Sequence, residues 1–296
     1  MKLQYFDRYQ NQILDDQVYA DRFILFCYET KMGKFLLNHL FKKRFPNWLY
    51  GIYKNSSFSS KQIQRDIQEF KIAMDDYEPQ IYHSYSDFFL RRFKQARREF
   101  PKSEANMGAF CEGRYLAFEQ NNLELEFPVK GKFVTAQALL NNHPIHKEFL
   151  KGPIIIARLC PIDYHHFHFP DDGKLIDQFQ IAGSFHSVNV HALRNENSVF
   201  IENERFVNIL DTKNFGKIAY IEVGAMCVGK IKHEALSSSH HFSKGQLKGH
   251  FEFGASTVII LGEFGKWKPS ADLLEHSQQN RESFIKLGDT IANKTF

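Results

Sequence analysis

From about residue 100 onward the chain is written in short β-like segments separated by Gly, Asn and Asp turns, and this pattern excludes most folds open to a chain of its length. Residues 153–159, 217–223 and 257–261 are the clearest strands, each rich in β-branched and other apolar residues. No strand–helix alternation, Gly-x-Gly-x-x-Gly or phosphate-loop motif appears, so a doubly wound nucleotide-binding fold is set aside. The first hundred residues read instead as helical. Ile63, Ile67, Phe70 and Met74 recur at helix spacing, and Ser59 with Gln62 has the form of a capping box. The polar stretch 269–282 predicts a loop or short helix before a last strand at 284–288. The expectation is an α+β protein, with a helical N-terminal region (1–100) followed by a β-rich, barrel-like domain (101–296).

With 296 residues there is length for one large domain or two smaller ones. The 43% hydrophobic and 24% charged content is that of a globular protein, and 30 phenylalanines favour aromatic-rich sheet packing or a surface that meets something greasy. A net charge of +4 and the lack of any zinc-finger or RNA-motif spacing argue against nucleic acid as a partner. Cys27, Cys111, Cys160 and Cys227 are far apart, which suits buried thiols better than disulfides or a zinc site. The N-terminus lacks an apolar core of signal-peptide length, and no stretch reaches the length of a membrane span. These features predict a location in the cytoplasm or on the cytoplasmic face of a membrane.

The basic residues cluster in the first hundred positions. Phe35, Leu36, Leu37, Leu40 and Phe41 run into Lys42, Lys43 and Arg44, followed by Phe45, Trp48, Leu49 and Tyr50. An apolar stripe with a basic edge and nearby Trp and Tyr predicts an interfacial, membrane-associating segment; the alternative is a helix packed on the protein's own core.

Two places could do chemistry. Asp163, Tyr164, His165, His166, Phe167, His168, Phe169 and Pro170 form the densest titratable cluster. His166 and His168 would share one face of a strand, as in a cupin-like metal site completed by Asp171 or Asp172 and by His186 or His191. The same histidines could instead move protons, and one of them could activate a serine with the help of an aspartate. In the second place, Gly254, Ala255, Ser256 and Thr257 lie between strand-like segments. As turn residues they describe a tight hairpin. As chemistry, they leave the peptide bond before Ser256 unshielded from its own hydroxyl.

Six segments, in order, resemble the phosphatidylserine decarboxylase proenzymes. Asp87-Phe88-Phe89-Leu90-Arg91 is similar to that family's Asp-Phe-Phe-x-Arg, and Tyr164-His165-His166-Phe167-His168-Phe169-Pro170 to its Tyr-His-x-x-His-x-Pro. Ser187-Val188-Asn189, Asn203-Glu204-Arg205 and Val223-Gly224-Ala225-Met226-Cys227-Val228-Gly229 follow. Lys244-Gly245 through Gly254-Ala255-Ser256-Thr257 resembles the processing site, so the likeness runs from about residue 85 to 265.

The resemblance implies self-cleavage between Ala255 and Ser256 into a long β chain and a short α chain, with Ser256 becoming a pyruvoyl group. It implies His168 as the base that activates the serine, Asp87 as the carboxylate that orients it, and His165 as the proton donor of turnover. The implied substrate is phosphatidylserine, whose amine condenses with the pyruvoyl carbonyl; phosphatidylethanolamine is the product. No metal is implied, and peripheral attachment to the membrane is, while a homodimer is left open. Two departures stand out: Ala255 replaces the family's usual Gly, and residues 105–113 replace its Ser-Pro-x-Asp-Gly turn. Two other readings are kept: a β-barrel, cupin-like metalloenzyme using His166 and His168, and a non-processing lipid-binding relative.

Overall fold

The computed structural model describes residues 4–16, 19, 21–121, 134–195, 199–226, 231–236, 238–253 and 256–295. The three apolar runs form the centre of the molecule. Strand Ser256–Gly262 lies between Ile154–Leu159 and Gly216–Val223 and is antiparallel to both. Every residue of Ser256–Gly262 and of Ile154–Leu159 is buried, so both faces of the sheet are covered here. That double burial is why these strands are almost uninterruptedly apolar rather than alternating.

Ten strands make up this sheet. On one side it continues through Arg205–Thr212 and Gly173–Ile181 to His241–Phe242; on the other through Gly113–Phe118, Glu282–Ile285 and Gln4–Asp7 to Gln12–Asp15. The two edges do not meet, so the barrel-like expectation is corrected to an open sheet. Two three-stranded sheets pack beside it: Ile231–His233, Leu247–Phe251 and His166–His168, and Trp267–Pro269, Thr290–Lys294 and Asn106–Gly108. The architecture is α+β, as expected. The final segments hold helix Ala271–Gln278, strand Glu282–Ile285 and a further strand, Thr290–Lys294.

The reading of the first hundred residues as helical needs a correction at its start. Gln4–Asp7 and Gln12–Asp15 form a β-hairpin, and Gln4–Asp7 pairs in parallel with Glu282–Ile285. The Asp7 carboxylate accepts the N–H groups of Tyr9 and Gln10 (2.9 Å each), and Asn11 adopts φ 52°, an ordinary chemistry for a turn. Helical structure follows from Asp21–Glu29 to Tyr85–Phe89. The capping box falls at Ser84 and Asp87, not at Ser59 and Gln62. Ser59 is fully buried, donating to the Lys54 and Ser56 carbonyls and accepting from Tyr85 N–H.

Helix Arg44–Asn55 is turned opposite to a core-packed helix. Its buried residues are Asn47 and Lys54, while Phe45, Trp48, Leu49, Ile52 and Tyr53 are exposed. Lys54 donates to Gln62 Oε1 at 2.7 Å and sits over the Tyr85 ring at 3.9 Å, which allows a buried ammonium. Among the described residues no helix is long and apolar enough to cross a membrane. Cys27, Cys111 and Cys160 are buried free thiols; Cys227 lies outside the described residues.

Candidate active site

The segments on either side of the proposed cut belong to different sheets. Leu247–Phe251 pairs with His166–His168, and Ser256–Gly262 pairs with Ile154–Leu159, so the tight-hairpin reading does not hold. Ser256 opens the central strand, fully buried, opposite Leu159. Gly254 and Ala255 lie outside the described residues. Phe253, just before them, is clamped by Tyr50, Tyr85 and Phe89.

His165 is brought to Ser256. Its Nδ1 lies 3.3 Å from Ser256 Oγ, and its Nε2 lies 2.8 Å from the Cys160 carbonyl oxygen. A carbonyl only accepts, so Nε2 carries the proton and Nδ1 presents a lone pair to the serine hydroxyl. Phe89 stacks on the ring at 3.7 Å between centroids. The imidazole is fully buried, and that burial holds it neutral, well below the ordinary histidine range.

His168 has the complementary tautomer. Its Nδ1 donates to the Gly245 carbonyl at 2.9 Å, and Nε2 lies 3.5 Å from the Tyr164 hydroxyl. Gly245 has φ 78°, and a Cβ there would meet Phe100 at 2.8 Å, so the Lys-Gly step of the motif suits glycine alone. Burial lowers His168 to about 4 and His166 to about 3. Neither His168 nor Asp87 is hydrogen-bonded to Ser256. The Asp87 carboxylate accepts the His83 and Ser84 N–H groups at 3.1 and 3.0 Å, which holds the start of helix Tyr85–Phe89 and so the Phe89 ring over His165.

The remaining motif residues serve as ties. Asn203 accepts from His186 N–H and donates to the His186 and Gly224 carbonyls, all at 2.8 Å. Buried Arg205 donates to the carbonyls of Leu139, Ala138, Ile201 and Asn203. Residues to which sequence reading gave no role here are Cys160, whose carbonyl holds His165, and an ion-paired set of buried Arg114 and Arg158 with Asp16 and Glu282. Asp163 stood in the titratable cluster, but nothing local distinguished its role.

The metal-site alternative finds no ligand set among the described residues, where no group of three or more His, Cys, Asp or Glu is arranged to hold an ion. His166 Nε2 donates to the Leu90 carbonyl, Asp171 accepts from Asn214, and Asp172 from Lys244 N–H.

Three buried neutral histidines make stability depend on pH. Between about pH 6.5 and 4 the unfolded chain takes up a proton at each of His165, His166 and His168 while the folded chain does not, so stability falls as pH falls. Asp163 opposes this: burial raises it to about 6, so the folded chain holds a proton there that the unfolded chain lacks above about pH 4. His250 and His276, also lowered by burial, act with the three, so the histidines outweigh Asp163 and stability is expected to fall as pH falls from 6 to 5. Thermal unfolding across pH 5 to 7 measures it; a midpoint that does not move over that range contradicts the assignment of buried neutral histidines.

A buried serine whose hydroxyl faces a neutral histidine, at the head of a central strand, is the arrangement of an enzyme that uses nucleophilic chemistry. The family model for phosphatidylserine decarboxylase matches residues 85–293. Among curated relatives, the chain is 38% identical over 294 residues to a phosphatidylserine decarboxylase proenzyme of Clostridium kluyveri, covering 99% of both chains. It is 36% identical to that of Clostridium perfringens (94% and 95% covered) and 32% identical to that of Fusobacterium nucleatum (99% and 98% covered). The chain belongs to the phosphatidylserine decarboxylase family, carboxy-lyases that convert phosphatidylserine to phosphatidylethanolamine.

Proposed function

We propose that this chain cuts itself between Ala255 and Ser256, carries a pyruvoyl group at position 256, and decarboxylates phosphatidylserine as a peripheral protein on the cytoplasmic face of the membrane. The observation that supports this most is the contact between Ser256 Oγ and His165 Nδ1, 3.3 Å apart in a site closed to solvent. A neutral imidazole with its lone pair on the hydroxyl can take the proton as the oxygen attacks the preceding carbonyl.

The surroundings suit a pyruvoyl group. Thr257 Oγ1, beside position 256, is buried without a hydrogen-bond partner among the described residues, and the bare nitrogen of His165 faces the same position. When formed, the pyruvoyl carbonyl supplies an electron sink for decarboxylation. His165 Nδ1 is then placed to take up a proton and return it at the reacting position, the donor role the resemblance implies, while Phe89 and the Tyr85–Phe253 packing exclude water. His168 is the second base-ready imidazole, and the resemblance gives it the cut, with Asp87. The Asp87 cap on the helix that carries Phe89 supports an action of Asp87 on the site through that helix. Intact-mass measurement tests the cut: the purified protein separates into a long chain and a short one of about 4 to 5 kDa, the 41 residues Ser256–Phe296.

The outward apolar face of helix Arg44–Asn55 supports membrane attachment. Phe45 and Trp48 are 65% and 56% exposed, with Lys43 and Arg44 exposed at the start of the same helix. Apolar side chains enter the lipid interface while the cations meet anionic head groups. Replacing both Phe45 and Trp48 by Ser is expected to weaken binding to phosphatidylserine vesicles by at least about tenfold, since burying each is worth ~1.5–3 kcal/mol. Unchanged cosedimentation contradicts this face as the docking surface.

A further inference from the structure

We propose that Asp163 and Arg91 are positioning residues that set the tautomer and the aim of His165. The inference rests on the reading of His165 as the proton carrier at residue 256. Residues 160–163 fold into a tight turn closed by two reciprocal bonds. Asp163 N–H donates to the Cys160 carbonyl at 2.8 Å, and the Asp163 carboxylate accepts the Cys160 N–H at 2.7 Å. Together they fix where the Cys160 carbonyl points, and that carbonyl is the one holding His165 Nε2–H.

Arg91 joins this turn to the other support of the imidazole. Its guanidinium is almost fully buried and donates to the carbonyls of Ile162 (2.5 Å) and Asp163 (3.2 Å) on the turn, and to Phe88 (3.2 Å) on the helix that carries Phe89. One side chain therefore links the group gripping the edge of His165 to the ring covering its face. Without the Asp163 carboxylate the Cys160 peptide can rotate, Nε2–H loses its fixed acceptor, and the imidazole loses the tautomer and the aim that keep Nδ1 on position 256.

The charged groups facing the Asp163 carboxylate are Arg114, at 3.2 Å, with Arg158, Glu112 and Asp16 around it. Those facing His165 are Arg91 and His166. The turn thus joins, through Arg114, an ion-pair network that includes Asp16, just after the N-terminal hairpin, and Glu282 from beyond the proposed cut.

The test measures kcat, KM and the pH profile of kcat on phosphatidylserine vesicles for the wild type, Asp163→Ala, Asp163→Asn and Arg91→Lys, with cleavage followed by intact mass. Asp163→Ala is expected to lose about 10- to 100-fold in kcat at unchanged KM and to displace the pH profile. Asp163→Asn, which can still accept the Cys160 N–H, should return to within about threefold of the wild type. A folded, cleaved Asp163→Ala with wild-type kcat and pH profile overturns the proposal. So does an Asn variant as impaired as the Ala variant with the pH profile unmoved, since that reports stability alone. Should Asp163→Ala fail to fold, Arg91→Lys decides: a kcat about tenfold lower at unchanged KM supports the proposal, and a wild-type kcat overturns it. An uncut, inactive wild-type chain overturns the self-processing reading and this one with it, whereas an active wild type with indifferent variants overturns this one alone.

Discussion

Ser256→Ala is expected to leave one uncut chain of 34.7 kDa and to abolish decarboxylation, a loss of at least about 10⁴-fold. Alanine removes the oxygen that His165 Nδ1 faces, and with it the atom that must attack the preceding carbonyl. The neighbouring Thr257 hydroxyl cannot substitute, because the carbonyl preceding it is that of residue 256, so its attack would address the bond between residues 256 and 257 instead. The fold should survive. Ser256 is a small buried residue whose strand is held on both sides by backbone pairing, which alanine retains. The readout is therefore clean: a folded protein, a single mass and no carbon dioxide. Two masses from Ser256→Ala, or residual turnover, sink the assignment of the cofactor to this residue.

His165→Ala is the second large effect. Loss of a group that moves a proton at the reacting position typically costs about 10²–10⁴-fold, and nothing else described at Ser256 Oγ can replace it. Turnover by the cleaved variant is expected to fall within that range. The rate at which the variant cuts itself then separates two roles. Cutting at the wild-type rate assigns the serine's base to His168, whose lone pair is on Nε2; arrest assigns it to His165. Decarboxylation at close to the wild-type rate contradicts the role of His165 altogether. A companion His168→Ala completes the comparison, because the two rings are held in opposite tautomers by the Cys160 and Gly245 carbonyls.

Much of this was legible in the amino-acid order, for physical reasons that can be named. The central strands announced themselves because burial on both faces demands unbroken Ile, Val and Leu, as in Ile154–Leu159. Ser256, His165, His168 and Asp87 were legible as a set only through the family pattern, since any one of them alone is more often structural. Pairing was not legible. Leu247–Phe251 and Ser256–Gly262 are consecutive, yet each pairs with strands far away in sequence, and no local pattern records that choice. The barrel expectation failed for the same reason. The hairpin Gln4–Asp15 was missed although Asp7 and Asn11 are ordinary turn residues, because the helical pattern downstream was extended over it. The apolar stripe at residues 32–50 was visible, but whether it faced inward depended on Asn47 and Lys54 taking the buried side. The hold on His165 was invisible for a simpler reason: it comes from a backbone carbonyl, which every residue possesses.

The position of strand Ser256–Gly262 has a consequence for the life of the protein after maturation. In the described sheet it is flanked by Ile154–Leu159 and Gly216–Val223, while Glu282–Ile285 is flanked by Gly113–Phe118 and Gln4–Asp7. A fragment beginning at Ser256 would thus be woven into the long chain at three separate places, the third being Thr290–Lys294 against Asn106–Gly108, and neither piece would retain a complete core alone. Refolding, unimolecular for the precursor, becomes a second-order encounter between two peptides once the bond is cut. Under the proposed cut, maturation is a one-way passage: the two-chain enzyme would persist through the slowness of its unfolding, and heat or denaturant that separates its pieces should destroy it at dilutions from which the Ser256→Ala precursor recovers.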